Sequence, residues 1–202
     1  MNHLSEKMAE IIRMYHQKGW SPATSTNYSF RESDDSKTFF VSQSGIDKSE
    51  FKASDFMEVD LLGKPTSNYA SMKPSAETLI HCKLYELFPD TQVILHSHSI
   101  YSVLQSMYNE QAVHLSGYEV LKGFDGITTH DITVNLPIFD NTQDMVAFSN
   151  NLEQQRNRLS VPAFIMRKHG TYAWGKTFLD AKRHLEVAEY LFEVEWKAMH
   201  VK

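Results

Sequence analysis

The sequence predicts an α/β fold in which helices pack around a central mixed sheet. Three observations carry that prediction. Helical and strand periodicities intermix from one end of the chain to the other. No repeat, low-complexity tract or linker separates them, so a single domain over 1–202 is expected. Two short apolar runs flank Lys168-His169-Gly170 like the arms of a hairpin, which places an antiparallel pair inside the sheet.

The elements follow in order. Leu4, Met8, Ile11, Ile12 and Tyr15 recur at helical spacing before Gly19, so a helix is expected over 4–18. A polar stretch, Ser21 to Asn27, precedes Ser29-Phe30-Arg31. Lys37 to Gln43 is β-prone, and Met57, Val59 and Leu61 alternate like a second strand. Pro74 is expected at the first position of a helix with Ile80, Leu84, Leu87 and Phe88 as its apolar stripe. Val93 to His98 reads as a buried strand. Ser99 is placed to cap a helix with Ile100, Val103, Leu104 and Met107 inward. Ala112–Leu115 and Val134–Phe139 are further strands, and Thr142 starts a helix carrying Met145, Phe148 and Leu152. Ala163–Arg167 and Thr171–Trp174 form the pair around His169. Thr177 and Asp180 resemble a capping box for a last helix reaching about His200, with Leu185, Ala188, Phe192 and Met199 on one face.

Composition narrows the function. The 202 residues carry 25 acidic and 20 basic side chains, a formal net charge of −5. That balance argues against a nucleic-acid partner and against polybasic membrane binding. No run approaches the ~18 apolar residues of a membrane span. Glu6, Lys7, Glu10 and Arg13 interrupt any signal-peptide core. The one cysteine, Cys82, has no intrachain partner, which suits a cytoplasmic setting.

The strongest chemical signal is His96-Ser97-His98. Alternate residues of a strand point to the same face, so two imidazoles project together and can chelate one metal ion. They stand at the C-terminal end of an apolar strand, where α/β sheets place their sites. A catalytic metal site needs a third ligand and an open position. His169, in a turn after another apolar run, is the best candidate among ten histidines. His3, His16, His81, His184 and His200 fall on expected helices or termini and are expected to be solvated. His114 fits a core position, and His130 a loop position for substrate contact.

A second signal is Lys73-Pro74-Ser75-Ala76-Glu77. A helix N-terminus with a hydroxyl beside it is a ready anion site. Thr24, Asn27, Ser44 and Gly45, from two polar loops, offer further donors.

These pieces resemble the class II aldolase/adducin-head family over nearly the whole chain. The matching motifs are Pro22 to Ser29, Ser42-Gln43-Ser44-Gly45, Lys73 to Glu77, His96-Ser97-His98-Ser99 and His169 to Gly175. The resemblance implies a three-layer α/β/α fold with a central mixed, mainly antiparallel sheet. It implies zinc, one per subunit, on His96, His98 and His169. It also implies a small sugar-phosphate substrate whose phosphate meets Thr24, Asn27, Ser44, Gly45 and Ser75, and a homo-tetramer. Gly117 to Gly123, Thr129-His130 and Leu136 to Thr142 side with the family's dehydratases, hydro-lyases in which Glu119 matches an acid/base glutamate. Glu77 matches the carboxylate that the aldolases use near the metal. Two positions depart from the aldolases, which commonly have Gly where Thr26 stands and Ser where Ala76 stands. Aldolases and 4-epimerases of sugar phosphates are the alternative activity. A non-catalytic interaction module, as in adducin heads, is the alternative from another class, and those heads tend to lack the histidines.

Overall fold

Strand alternation decides which side chains the sheet buries on each face, and the helices follow those two apolar faces. The computed structural model describes residues 3–33 and 35–200. The strands are β1 (Tyr28–Phe30), β2 (Thr38–Ser42), β3 (Phe56–Asp60), β4 (Val93–Ser97), β5 (Ala112–Ser116), β6 (Thr133–Phe139), β7 (Ala163–Met166) and β8 (Gly170–Gly175). They form one sheet in the order β3-β2-β1-β4-β8-β7-β6-β5. The β6–β7 pair is parallel, and the other pairings are antiparallel. The fold is therefore α/β with a mixed, mainly antiparallel sheet, as the sequence predicts.

Helices α1 (His3–Gln17), α2 (Thr78–Leu87), α3 (Ile100–Tyr108), α4 (Met145–Gln154) and α5 (Phe178–His200) cover the two faces. On one face Val93, Leu95, Ile165 and Ala173 pack with Tyr15 of α1 and Leu185, Ala188 and Phe192 of α5. On the other, Ile94, Phe164, Tyr172 and Trp174 pack with Ile80 and Leu84 of α2 and Phe148 and Leu152 of α4. Each fully buried side chain of this size contributes roughly 1.5–3 kcal/mol, so both faces hold the sheet. No helix among the described residues is long and apolar enough to cross a membrane.

Four expectations need correction. Pro74 does not open α2; the chain turns first, with Thr78 N–H on the Ser75 carbonyl at 3.0 Å, and the α-helix begins at Thr78 with Glu77 as its N-cap residue. Likewise α4 begins at Met145, because Asp144 caps it by accepting the Ala147 N–H at 2.9 Å. On α3 the Ser99 cap forms, accepting the Ser102 N–H at 3.1 Å, but the helix is turned about its axis. Ser102, Gln105 and Ser106 are buried, whereas Ile100 is 70% and Met107 57% exposed. Gln105 donates to the Phe192 carbonyl at 3.1 Å, and small polar residues let α3 lie close to α5. Met199 is also exposed rather than on the buried face of α5.

Candidate functional site

The site forms where three segments end side by side. His96 pairs in register with Tyr172, and Ser97 with Thr171, so β8 begins beside the end of β4. The β7–β8 turn hangs over that end and carries His169. Gly170 makes this approach possible, since a Cβ there would stand 1.8 Å from the Ser97 carbonyl oxygen. Lys168 takes a positive φ of 54° in the turn, and its N–H donates to Ser106 Oγ at 2.8 Å. The turn is thus braced from α3.

His96, His98 and His169 come together, with one ring nitrogen from each within 4.8 Å of the others. His96 Nδ1 donates to the Thr171 carbonyl at 2.9 Å, which leaves Nε2 as a lone pair. That Nε2 lies 2.8 Å from His98 Nε2 and 3.4 Å from His169 Nε2. Burial pushes His96 well below the ordinary imidazole range, and the neighbouring His98 adds to the shift. Burial, then His169, lowers His98 to about 4. Imidazole lone pairs converging on one point repel one another unless a cation sits between them. The donor set therefore fits a metal ion, and three nitrogens leave positions open for substrate.

Glu77 completes the cluster. Its Oε1 lies 3.3 Å from His169 Nε2 and its Oε2 3.6 Å from His96 Nε2. Tyr172 donates to Oε2 at 2.9 Å and Asn27 Nδ2 at 2.5 Å. Burial opposes ionisation here, but His169, His96 and Tyr172 outweigh it and hold the carboxyl well below the usual carboxylate range. Asn27 is itself oriented by the fully buried His81, whose Nε2–H meets Asn27 Oδ1 while Nδ1 faces Ser29 Oγ at 2.7 Å. Burial lowers His81 to about 3. The sequence places His81 and His184 among the solvated histidines; both are 0% exposed, because α2 and α5 turn these positions inward.

Beside the cluster lies a polar cavity of about 170 Å³ lined by Thr24, Ser25, Thr26, Asn27, Ser42, Gln43, Ser44, Ser75, Glu77 and His98. The structure thus gathers Thr24, Asn27, Ser44 and Ser75 next to Glu77 and His98. Gly45 is in the same loop at φ +80°. Thr26 holds φ +69°, so the left-handed turn is kept with a side chain in place. Lys73 is exposed and does not line the cavity.

Glu119 is placed elsewhere. It begins a 3₁₀ turn, Glu119–Gly123, packed against α5. Leu121 and Phe124 of that segment belong to the α5-side core, whereas Tyr172 beneath His96 belongs to the other core. Glu119 is exposed, paired with Lys122 and standing 3.4 Å from His130. His114 is also exposed rather than in the core, 2.6 Å from Asn135 Oδ1.

Sequence reading missed Tyr172, His81 and Glu189. The fully buried Glu189 of α5 accepts from Ser97 and Ser99, the residues on either side of His98. Tyr172 had a signal, since it alternates with Trp174 on the face that His96 shares.

Comparison with known proteins adds the following. The profile of the family described as "Class II Aldolase and Adducin N-terminal domain" matches residues 6–196. A methylthioribulose-1-phosphate dehydratase from Picosynechococcus sp. is 48% identical over 198 residues, covering 97% of this chain and 92% of that one. One from Stenotrophomonas maltophilia is 39% identical, covering 99% of this chain and 94% of that one. Among solved structures, an L-fuculose 1-phosphate aldolase superposes with a TM-score of 0.80 at 18% identity, over 98% of this chain and 87% of that one. The L-fuculose-1-phosphate aldolase from Thermus thermophilus gives 0.73 at 18% identity, over 95% and 92%.

Proposed function

The chain belongs to the class II aldolase and adducin family, and we propose that within it this protein is a hydro-lyase that dehydrates 5-methylthioribulose 1-phosphate. The observation that carries the activity is 48% identity, over nearly the full length, to a dehydratase of that substrate. The three converging imidazoles support metal-assisted chemistry at the same place.

The substrate is a ketose with its carbonyl at C2 and hydroxyls at C3 and C4. Removing the C3 proton and the C4 hydroxyl together releases water. The enol left behind tautomerises to 2,3-diketo-5-methylthiopentyl 1-phosphate. His96, His98 and His169 would hold zinc, one per subunit, which supplies Lewis-acid polarisation of the carbonyl and its neighbouring hydroxyl. The chain's own residues do the rest. Thr24, Asn27, Ser44, Gly45 and Ser75 surround the phosphate with hydroxyl, amide and backbone donors.

Proton transfer demands near-contact geometry. Glu77 meets that demand within one chain: it stands at the imidazoles, ionised, with Tyr172 and Asn27 fixing its carboxylate. Glu119 lies on the α5 side and would serve the site of a neighbouring subunit. A homo-tetramer with sites near its subunit borders provides that arrangement. The outward-facing Ile100, Met107 and Tyr108 of α3 support such assembly, because a monomer rarely leaves so much apolar surface in one place. The family match over 6–196 and the lone Cys82 support reading the chain as one cytoplasmic domain.

The test is product identity. Mass spectrometry of substrate incubated with zinc-loaded protein should show loss of one water. Cleavage between C3 and C4 instead would assign the protein to the aldolases.

A further inference from the structure

The phosphate reading leaves a charge unmatched. None of the described residues lining the polar cavity carries a permanent positive charge, and Glu77 brings a negative one. A cation close behind hydroxyls and amides strengthens their hold on a dianion. One is present. Lys48 is 0% exposed, which is rare for lysine. Its Nζ donates to the Ile46 carbonyl at 2.8 Å and reaches the Thr24 carbonyl at 3.4 Å. Its backbone N–H donates to the Ala23 carbonyl at 2.9 Å. Among the described residues no carboxylate forms an ion pair with it. Burial lowers its pKa to about 8, with Asp47 and Asp55 pulling upward from a distance, so the ammonium is charged at neutral pH.

A buried ammonium held by carbonyl dipoles and by the face of the Phe51 ring, 5.3 Å from its centroid, costs folding free energy that a neutral residue would spare. These carbonyls belong to the two loops that line the cavity. Both loops are held in left-handed conformations, with Ala23 at φ +52°, Thr26 at +69° and Gly45 at +80°. We propose that Lys48 is a positioning residue for the anionic end of the substrate: it ties the 22–27 and 43–46 loops together and fixes a positive charge behind the cavity they share. This rests on the phosphate reading of that cavity. The charge lies behind the backbone, so it favours an anion without offering a flexible surface amine that would bind it anywhere else.

The test uses zinc-loaded protein, with inorganic phosphate as the probe, in four forms: wild type, Lys48→Gln, Lys48→Arg and Ser44→Ala. Phosphate is expected to compete with substrate in the wild type. Lys48→Gln is expected to raise both the phosphate inhibition constant and KM about ten-fold or more, a loss typical of a charge-assisted contact. The effect should fall on KM more than on kcat, with zinc content unchanged. Lys48→Arg, which keeps the charge, is expected to stay within about three-fold of wild type. Equal losses in the Gln and Arg variants would reduce Lys48 to a structural strap and overturn the proposal, as would a wild-type inhibition constant in Lys48→Gln. Should Lys48→Gln not fold, Lys48→Arg decides alone, and a ten-fold loss there overturns it. If Ser44→Ala weakens phosphate while Lys48→Gln does not, only Lys48 is wrong. If phosphate fails to compete in the wild type and Ser44→Ala leaves KM unchanged, the phosphate reading falls and takes the proposal with it.

Discussion

Tyr172 donates its phenolic hydrogen to Glu77 Oε2 at 2.9 Å while its ring stacks on His96 with centroids 3.9 Å apart. One side chain therefore positions both an imidazole of the candidate metal site and the carboxylate beside it. Tyr172→Phe keeps the stacking and removes the hydrogen bond. The account predicts a kcat lower by roughly ten-fold, corresponding to about 1.5 kcal/mol, with zinc content unchanged. Steady-state kinetics beside elemental analysis checks it. Loss of zinc in this variant would show that the ring, not the hydroxyl, was disturbed.

Gly170 is the close contact that brings the His169 turn onto the end of β4. In Gly170→Ala the added methyl collides with the Ser97 carbonyl, which is backbone and cannot swing aside. A destabilisation of about 2–4 kcal/mol is expected from overpacking of this severity, with loss of zinc through displacement of His169. Thermal unfolding and metal content, measured together, report both. A variant that retains its zinc and its Tm would mean that the turn sits further from β4.

Glu189 gives a pH dependence with a definite sign. Burial raises its pKa, although Ser97 and Ser99 donate to it and oppose the shift. A carboxyl whose folded pKa is raised contributes stability that is complete below the ordinary carboxylate value of 4.5. The contribution is lost as pH rises through the folded pKa. Glu189→Gln removes the titration. The Tm of wild type minus that of Glu189→Gln should therefore decline as pH is raised from about 4.5 to about 8. A difference that stays constant over that range would contradict the burial-driven shift.

The two carboxylates make separable predictions. Glu77→Gln should be inactive and should not be rescued by any partner chain, because Glu77 stands among the imidazoles of its own subunit. Glu119→Gln should be inactive alone, yet mixing it with His96→Ala chains should restore activity. Random assembly gives about a quarter of the sites both an intact histidine set and an intact Glu119 from the neighbour. Activity of the reassembled mixture is the readout. No recovery would remove Glu119 from the trans role and leave Glu77 as the acid/base group.

Much of this was legible in the sequence because it is local. Period-2 alternation put His96 and His98 on one side of a strand end, and the apolar arms around Lys168-His169-Gly170 announced the hairpin. What escaped depends on pairings far apart in sequence. Tyr172 reaches Glu77 across 95 positions, Glu189 reaches Ser99 across 90, and His81 reaches Asn27 across 54. No periodicity encodes these contacts; the strand order creates them. The rotation of α3 was missed for a related reason. Ile100, Val103, Leu104 and Met107 form a good apolar stripe, but close packing on α5 selects the stripe of small polar residues instead. Pro74 was misplaced because a turn from Ser75 to Thr78 intervenes before the α-helix, and a proline is equally at home before such a turn.

The proposed dehydration requires His96, His98 and His169 to hold a zinc ion together. Its most direct test is a titration of zinc into metal-stripped protein while diketone formation from 5-methylthioribulose 1-phosphate is followed. Activity is expected to rise in proportion to added metal and to saturate near about one zinc per chain, with no response in His96→Ala. Full activity in the stripped protein, or an equal response to zinc in His96→Ala, would contradict it.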